Sequence, residues 1–480
     1  MKKNLKKQSL LIMLCIVSFM IHAQKVSKNS VVEDLQFLHT NLEASMYDLY
    51  AHTPKVEFEN YIDHFEKTYK DSLTDIESWR VLQSFVSLGN IGHLSTTYPI
   101  YPNYVSYLRN GGEVFPLDVY FDEGNTIIVK DYSPIKNQEI QPGDKILSIN
   151  DKEMSEWLRL MYSLYQGDNE YYKLNLISQL KFSRTLWLLG YTIHNFRLRI
   201  QTIQGEIKEV TLEAIKASDF EARVGGEAKN PYQRSLQFYN KTAYLTPGVF
   251  LNENSNQEGS AHENFKNESF KKFIDSCFSQ IAERKSTNLI IDLRDNTGGN
   301  DTFSNHLISY FADKPFKFCS KFLVKTSQHT KEFWKGVKDS TLTELREQIL
   351  TKKNGEIFEA KIPLQQPLSD NHPLKFKGNV YLLINRGTLS NSVSVAAIIQ
   401  DYQFGTLVGE KTAGSPTNHG ATQSFVLPNS KNAISYTKAL IIRPNGSTEI
   451  DGIKPDIEIK DNLFTPKDEV LEHLLKTIID

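Results

Sequence analysis

Apolar residues recur at helical spacing through the N-terminal part of the chain. Val32, Leu35, Leu38, Leu42 and Met46 form one stripe, Phe58, Tyr61, Phe65 and Tyr69 a second, and Trp79, Leu82, Phe85 and Leu88 a third. Residues three and four apart share a helix face, so three helices packed through these stripes are expected. Gly89 is the expected C-cap of the third, which puts His93 on a loop beyond it. From about Gly111 the period changes to two. Phe115 to Phe121 alternates, Asn125 to Val129 follows the Glu123-Gly124 turn, and Pro142-Gly143-Asp144 leads into another alternating run ending at Asn150. Met154 to about Leu189 reads as helical, and Phe196 to Ile200 and Lys208 to Leu212 as closing strands.

Residues 214–236 are polar with few apolar anchors and read as a linker. Helices and strands then alternate, which predicts an α/β layer with a largely parallel sheet. Phe265 to Ala282 is an amphipathic helix, and Leu289 to Leu293 a strand that runs through Arg294, Asp295 and Asn296 into Gly298-Gly299. Phe316 to Lys375 carries no readable chemistry. Val380 to Ile384 is a buried strand by length and composition, Ser390 to Gln400 a helix, and Phe404 to Val408 a second strand. Ser424 to Leu427 and Ala433 to Tyr436 look like further strands, and Asp468 to Ile479 closes the chain as an amphipathic helix.

Ser390 therefore falls where a strand turns into a helix N-terminus, among free backbone N–H groups. Its hydroxyl can cap the helix, or it can be a nucleophile whose oxyanion those N–H groups receive. The stretch alone leaves both open.

Composition narrows the classes. The 480 residues suggest roughly three domains at about 150 residues each. Apolar content of 40% and charge of 23% fit a globular chain, and a net charge of −2 argues against a nucleic-acid partner held through phosphates. Residues 1–23 carry four lysines followed by an apolar run that ends in Ile21-His22-Ala23, the pattern of a secretory signal too short for a comfortable membrane span. The protein is expected to be exported, periplasmic or extracellular, without an integral membrane span. Cys277 and Cys319 then remain, either bonded or as two buried thiols. Neither has ligand neighbours at zinc spacing, and neither a metal nor a cofactor is expected.

Three separated stretches follow the β-unit in order: LIIDLRDNTGG, the TLSNS turn with VGEKTAG behind it, and DGIKPDIEI. With them the chain resembles the carboxyl-terminal processing (tail-specific) serine peptidases, and the β-unit resembles a PDZ domain, whose bland alternative is a structural β-domain without a ligand groove. The resemblance implies an α/β multi-domain protein. Residues 24–108 would be a helical N-terminal domain, 109–213 a PDZ-like domain, 214–236 a linker, and 237–480 a peptidase core of the ClpP/crotonase kind. One branch of that family uses a Ser–Lys dyad with the lysine 25 residues after the serine; here that place is Ser415, and Lys411 lies four residues early. The other branch resembles the tricorn core peptidase and uses Ser, His and Glu. It implies Ser390 as nucleophile, His93 as base and Glu449 as orienting carboxylate, with Asp451 as runner-up. His419 is a competing base close in sequence. The N–H of Asn391 and of Gly298 or Gly299 would form the oxyanion hole. Two departures stand out: Gly92 where the tricorn pattern has serine, and Val393 where the family often has an acid. The implied substrate is a polypeptide, its C-terminus included, with no implied oligomeric state. The rival reading is an inactive peptide- or lipophile-binding protein on the same fold, as interphotoreceptor retinoid-binding protein resembles this family.

Overall fold

A computed structural model describes residues 25–480 apart from 70, 123–126, 132–138, 225–229, 253–265, 339–341, 466 and 480. The expected secretory segment and the Glu123-Gly124 turn lie outside the described residues. The architecture is mixed α/β with several cores.

The sheet that carries the serine turn has six strands in the order Ser235–Tyr239, Thr242–Thr246, Asn288–Asp292, Asn379–Ile384, Thr406–Gly409, Ile457–Glu458. The first two pair antiparallel and the others parallel. Parallel strands are covered on both faces, and the alternation along them shows it. Leu289, Ile291, Leu382 and Ile384 pack with helices Glu268–Glu283, Asp301–Ser309 and Asn391–Tyr402, whereas Ile290 and Leu383 meet Val470, Leu471 and Leu474 of the closing helix Glu469–Ile479. Both faces being apolar is why these strands read as unbroken hydrophobic runs. The closing helix is pinned from its start, where Asp468 takes a two-pronged ion pair from Arg294 at 2.6 and 2.8 Å.

A second, antiparallel sheet orders Ile357–Glu359, Lys321–Lys325, Ala433–Ile442 and Asn418–Val426. Two of its strands come from the stretch that carried no readable pattern. Ser95 and Thr96 pair with Ser435 and Ile434 of this sheet. The front helices Lys28–Ser45, Lys55–Thr68 and Asp75–Ser87 follow the expected stripes. They share a core with Phe425, Leu427, Ile434 and Tyr436 of the second sheet, so their burial depends on residues from the far end of the chain.

A third, antiparallel sheet with its own core has the order Ile207–Glu213, Asn195–Gln201, Lys145–Ile149, Ile127–Asp131, Asp118–Phe121, with helices Met154–Tyr162, Glu170–Leu180 and Phe182–Leu188. The single helical stretch expected over 154–189 is thus three helices; Lys181, at φ 71°, breaks the last two apart. The segment read as a linker is also partly ordered. Ile215–Lys216 pairs with Glu113–Val114, and in helix Ala217–Val224 the residues Ala217, Phe220 and Val224 are buried at spacings of three and four. Three apolar anchors suffice for a short helix, and they were too few to stand out among polar neighbours. Cys277 and Cys319 are both buried and unbonded. Among the described residues no helix is long and apolar enough to cross a membrane.

Candidate active site

Ser390 sits past the C-terminal end of strand Asn379–Ile384, immediately before helix Asn391–Tyr402. Its backbone is at φ 51°, ψ −126°, a conformation that costs an L-residue about 1–3 kcal/mol. Its side chain makes no capping hydrogen bond. The strain is held by the turn around it. Asn385 Oδ1 accepts from the Gly387 and Asp295 N–H groups, at 2.9 Å each. Thr388 Oγ1 donates to the Leu293 carbonyl at 2.8 Å, and the Leu389 N–H to the Asn296 carbonyl at 2.9 Å. Arg386 is buried; it donates to the Phe121 carbonyl and lies over the rings of Tyr120 and Tyr171, which joins this turn to the third sheet and its helices.

His93 is the partner of the Ser390 hydroxyl, with Nε2 3.2 Å from Oγ. The loop that carries it is latched on three sides. The Gly92 N–H donates to Asp168 Oδ1 at 3.1 Å, Lys173 Nζ to Asn90 Oδ1 at 2.8 Å, and Ser95–Thr96 enter the second sheet. Burial holds the His93 imidazole below the ordinary histidine value, against the opposing pull of the Asp168 carboxylate and the His419 backbone. The ring is therefore neutral at neutral pH. Its Nδ1 is enclosed and makes no well-formed hydrogen bond among the described residues; the His419 main chain lies near enough to favour the charged ring but short of bonding geometry.

The glycine pair is placed beside the serine. A Cβ on Gly298, whose φ is +95°, would stand 2.6 Å from the Asn391 nitrogen and 2.9 Å from Ser390 Cβ. Only glycine leaves the Asn391 amide uncovered there. The Gly298 N–H is itself committed to Asn296 Oδ1 at 3.0 Å. Among the described residues the N–H groups of Gly299 and Asn391 have no acceptor. Of the two glycine amides left open by the sequence, the free one is that of Gly299.

The expected carboxylate is not brought to the pair. Glu449 is exposed, and its side chain has no hydrogen bond or ion pair among the described residues. Its backbone carbonyl accepts from Ser415 Oγ at 3.2 Å. Ser415, at the dyad-lysine place, thus serves the loop. Asp451 is bonded to Lys411 Nζ at 2.8 Å, which accounts for both residues. The acid nearest in effect to His93 is Asp168. A Cβ on Gly92 would stand 2.9 Å from Asp168 Oδ2, so the carboxylate occupies space that a serine at position 92 would need. Sequence reasoning missed Asp168 because it falls inside the stretch 154–189 read as one helix, whereas Asn169 starts a separate helix, capping it through the Tyr172 N–H at 2.8 Å. Val393 is wholly buried in the main core, where an acid would lie in apolar surroundings. His419 is nine-tenths buried and makes no bond to Ser390.

A strained serine at a strand-to-helix turn, a neutral imidazole in reach and the unoccupied Asn391 amide next to it are the parts of a serine-type peptidase. Residues 261–459 match Peptidase family S41, which makes this part of the chain a serine-type peptidase domain of that kind. Among solved structures it is similar to mature CPAF, with a TM-score of 0.62 at 16% identity over 94% of this chain and 97% of that one. It is likewise similar to mature CPAF complexed with lactacystin, with a TM-score of 0.63 at 15% identity and the same coverage. These likenesses establish the fold. No curated protein matches the chain by sequence.

Proposed function

We propose that the protein is an exported serine endopeptidase that cleaves unfolded or chain-end segments by acyl transfer through Ser390, with His93 as general base. The observation that carries this reading is the 3.2 Å approach of His93 Nε2 to the hydroxyl of a serine held at φ 51°. A serine hydroxyl is a weak nucleophile until a base within hydrogen-bond reach removes its proton. A neutral His93 can accept it as Oγ attacks the scissile carbonyl, then return it to the leaving amine as the acyl-enzyme forms. Water repeats the steps in reverse and frees the second product. The Asn391 and Gly299 N–H groups would receive the developing oxyanion, each donor worth about 3 kcal/mol in comparable peptidases.

In this reading Asp168, rather than Glu449, supplies the negative charge that favours the imidazolium of His93. It acts as a positioning residue through its bond to the Gly92 N–H, one residue from the base. Residues 24–108, 109–213 and 237–480 serve as helical front, PDZ-like unit and peptidase core. The 109–213 unit would take an extended peptide by strand addition. Export rests on the sequence of residues 1–23. The test is hydrolysis of an unfolded protein by the purified chain. Loss of hydrolysis in Ser390→Ala supports the proposal; equal hydrolysis in that variant overturns it.

A further inference from the structure

We infer that His52, Asp168 and His419 form a binding site for a divalent transition-metal ion of the zinc class. One ligand atom from each lies within 4.8 Å of the other two. The donors come from three separate parts of the molecule. His52 is on the loop after helix Lys28–Ser45, Asp168 precedes helix Glu170–Leu180, and His419 is on strand Asn418–Val426. At positions 52, 168 and 419 they have no spacing for a sequence to reveal.

Their other contacts leave them free for an ion. Among the described residues neither imidazole makes a hydrogen bond or ion pair. The rings of His52 and His419 meet edge to face, 6.1 Å between centroids, and Tyr47 closes the other side of His419 at 6.0 Å. An imidazole as buried as His419, 8% exposed, ordinarily has a partner for its polar atoms. Here the polar groups converging with it are one carboxylate and one further imidazole. Asp168 uses Oδ1 for the Gly92 N–H and has no other hydrogen bond among the described residues, so Oδ2 is available. That bond is of the kind that orients a metal-bound carboxylate from behind.

Two imidazoles and a carboxylate suit zinc, and not magnesium or calcium, which take oxygen donors. Tetrahedral zinc holds its ligands at about 2.0–2.2 Å, hence about 3.4 Å from one another. His52, exposed and on a loop, is the donor with most freedom to move the remaining distance. Three protein donors leave a fourth position for water. An ion bound here joins the front helices, the Glu170–Leu180 helix and the second sheet at one point, and anything that binds the folded state alone raises its stability.

The test is titration of zinc into chelator-treated Ser390→Ala protein, followed by calorimetry and by thermal unfolding. Using that variant makes the outcome independent of whether Ser390 is a nucleophile. Binding of one ion, a rise in Tm with zinc, and affinity at least tenfold weaker in both His52→Ala and His419→Gln support the site. His52 is exposed, so its variant tests the site without disturbing the core. His64→Ala, at another exposed histidine, is the control and should bind as the parent does. No binding below the millimolar range, or parent-like affinity in His52→Ala, overturns the inference.

Discussion

His93 Nε2 and Ser390 Oγ are 3.2 Å apart in space and 297 residues apart in sequence. The distance is set by two unrelated devices. The serine is presented by a parallel sheet, and the histidine by a loop whose next two residues pair with Ile434 and Ser435 in a different sheet. Removing the imidazole should therefore leave the serine turn intact and abolish its activation. His93→Ala is expected to lower kcat/KM for an unfolded substrate by about 10³–10⁴ or more with unchanged Tm. Steady-state kinetics and a melting curve on the same preparation check it.

Gly298 carries a separate expectation. In Gly298→Ala the methyl group would meet the Asn391 nitrogen at 2.6 Å and the Leu389 carbonyl oxygen at 2.8 Å, both backbone, at a φ of +95°. Neither atom can yield without moving the Ser390 turn. The variant is expected to be destabilised by at least about 1–3 kcal/mol and to lose about 10²–10³ in kcat. Denaturant unfolding and kinetics measure the two effects separately.

Asp168 is expected to act through charge. Its carboxylate raises the affinity of His93 for a proton, while burial lowers it. Asp168→Asn removes the first influence and leaves the second. The His93 value should fall further, so the acidic limb of the kcat/KM profile moves to lower pH while the maximum falls by about 10–10²-fold. A loss of rate with an unmoved acidic limb would show a purely structural role. Chelator-treated protein keeps this measurement apart from metal binding. Glu449→Gln, at an exposed side chain, should change the profile little.

Lys438 gives a pH dependence of stability. It is 5% exposed and donates to the Ala421 carbonyl at 3.0 Å; burial brings its ammonium down from 10.5 to about 8. Below pH 8 it is charged in both the folded and unfolded states, and the cost of burying the charge is fully present. Between about pH 8 and 10.5 the folded state is neutral while the unfolded chain still holds the proton, so this residue makes stability rise with pH. Lys438→Met should raise stability near pH 7 by on the order of 2 kcal/mol. The gain should shrink as the pH approaches 10, as read by Tm across a buffer series.

How much of this was legible in the sequence varies with the physical basis of each signal. The front helices were, because each buries one stripe at helical spacing. The strands that flank the serine turn were, because Leu289–Ile291 and Leu382–Ile384 are covered on both faces and carry unbroken apolar runs. Helix Ala217–Val224 was hidden because three buried side chains among polar neighbours resemble a linker. The second sheet was hidden because its strands Lys321–Lys325 and Ile357–Glu359 lie between polar and proline-containing stretches and gain their burial only on pairing. At the candidate site, Ser390 and the glycine pair stand in readable motifs, and His93 is singled out only by the family resemblance. The choice of carboxylate was not legible. Whether the charge of position 449 or 168 acts on the imidazole depends on how a loop and a helix start pack, and Gly167-Asp168-Asn169 carries no mark of that.

The most direct test of the central claim is labelling by a serine-directed fluorophosphonate, with the modified residue located by mass spectrometry. The His93–Ser390 geometry leads to one adduct per chain, on Ser390, formed rapidly in the parent, absent in Ser390→Ala and strongly slowed in His93→Ala. A folded parent protein that stays unlabelled, or that carries the adduct on another serine, would contradict it.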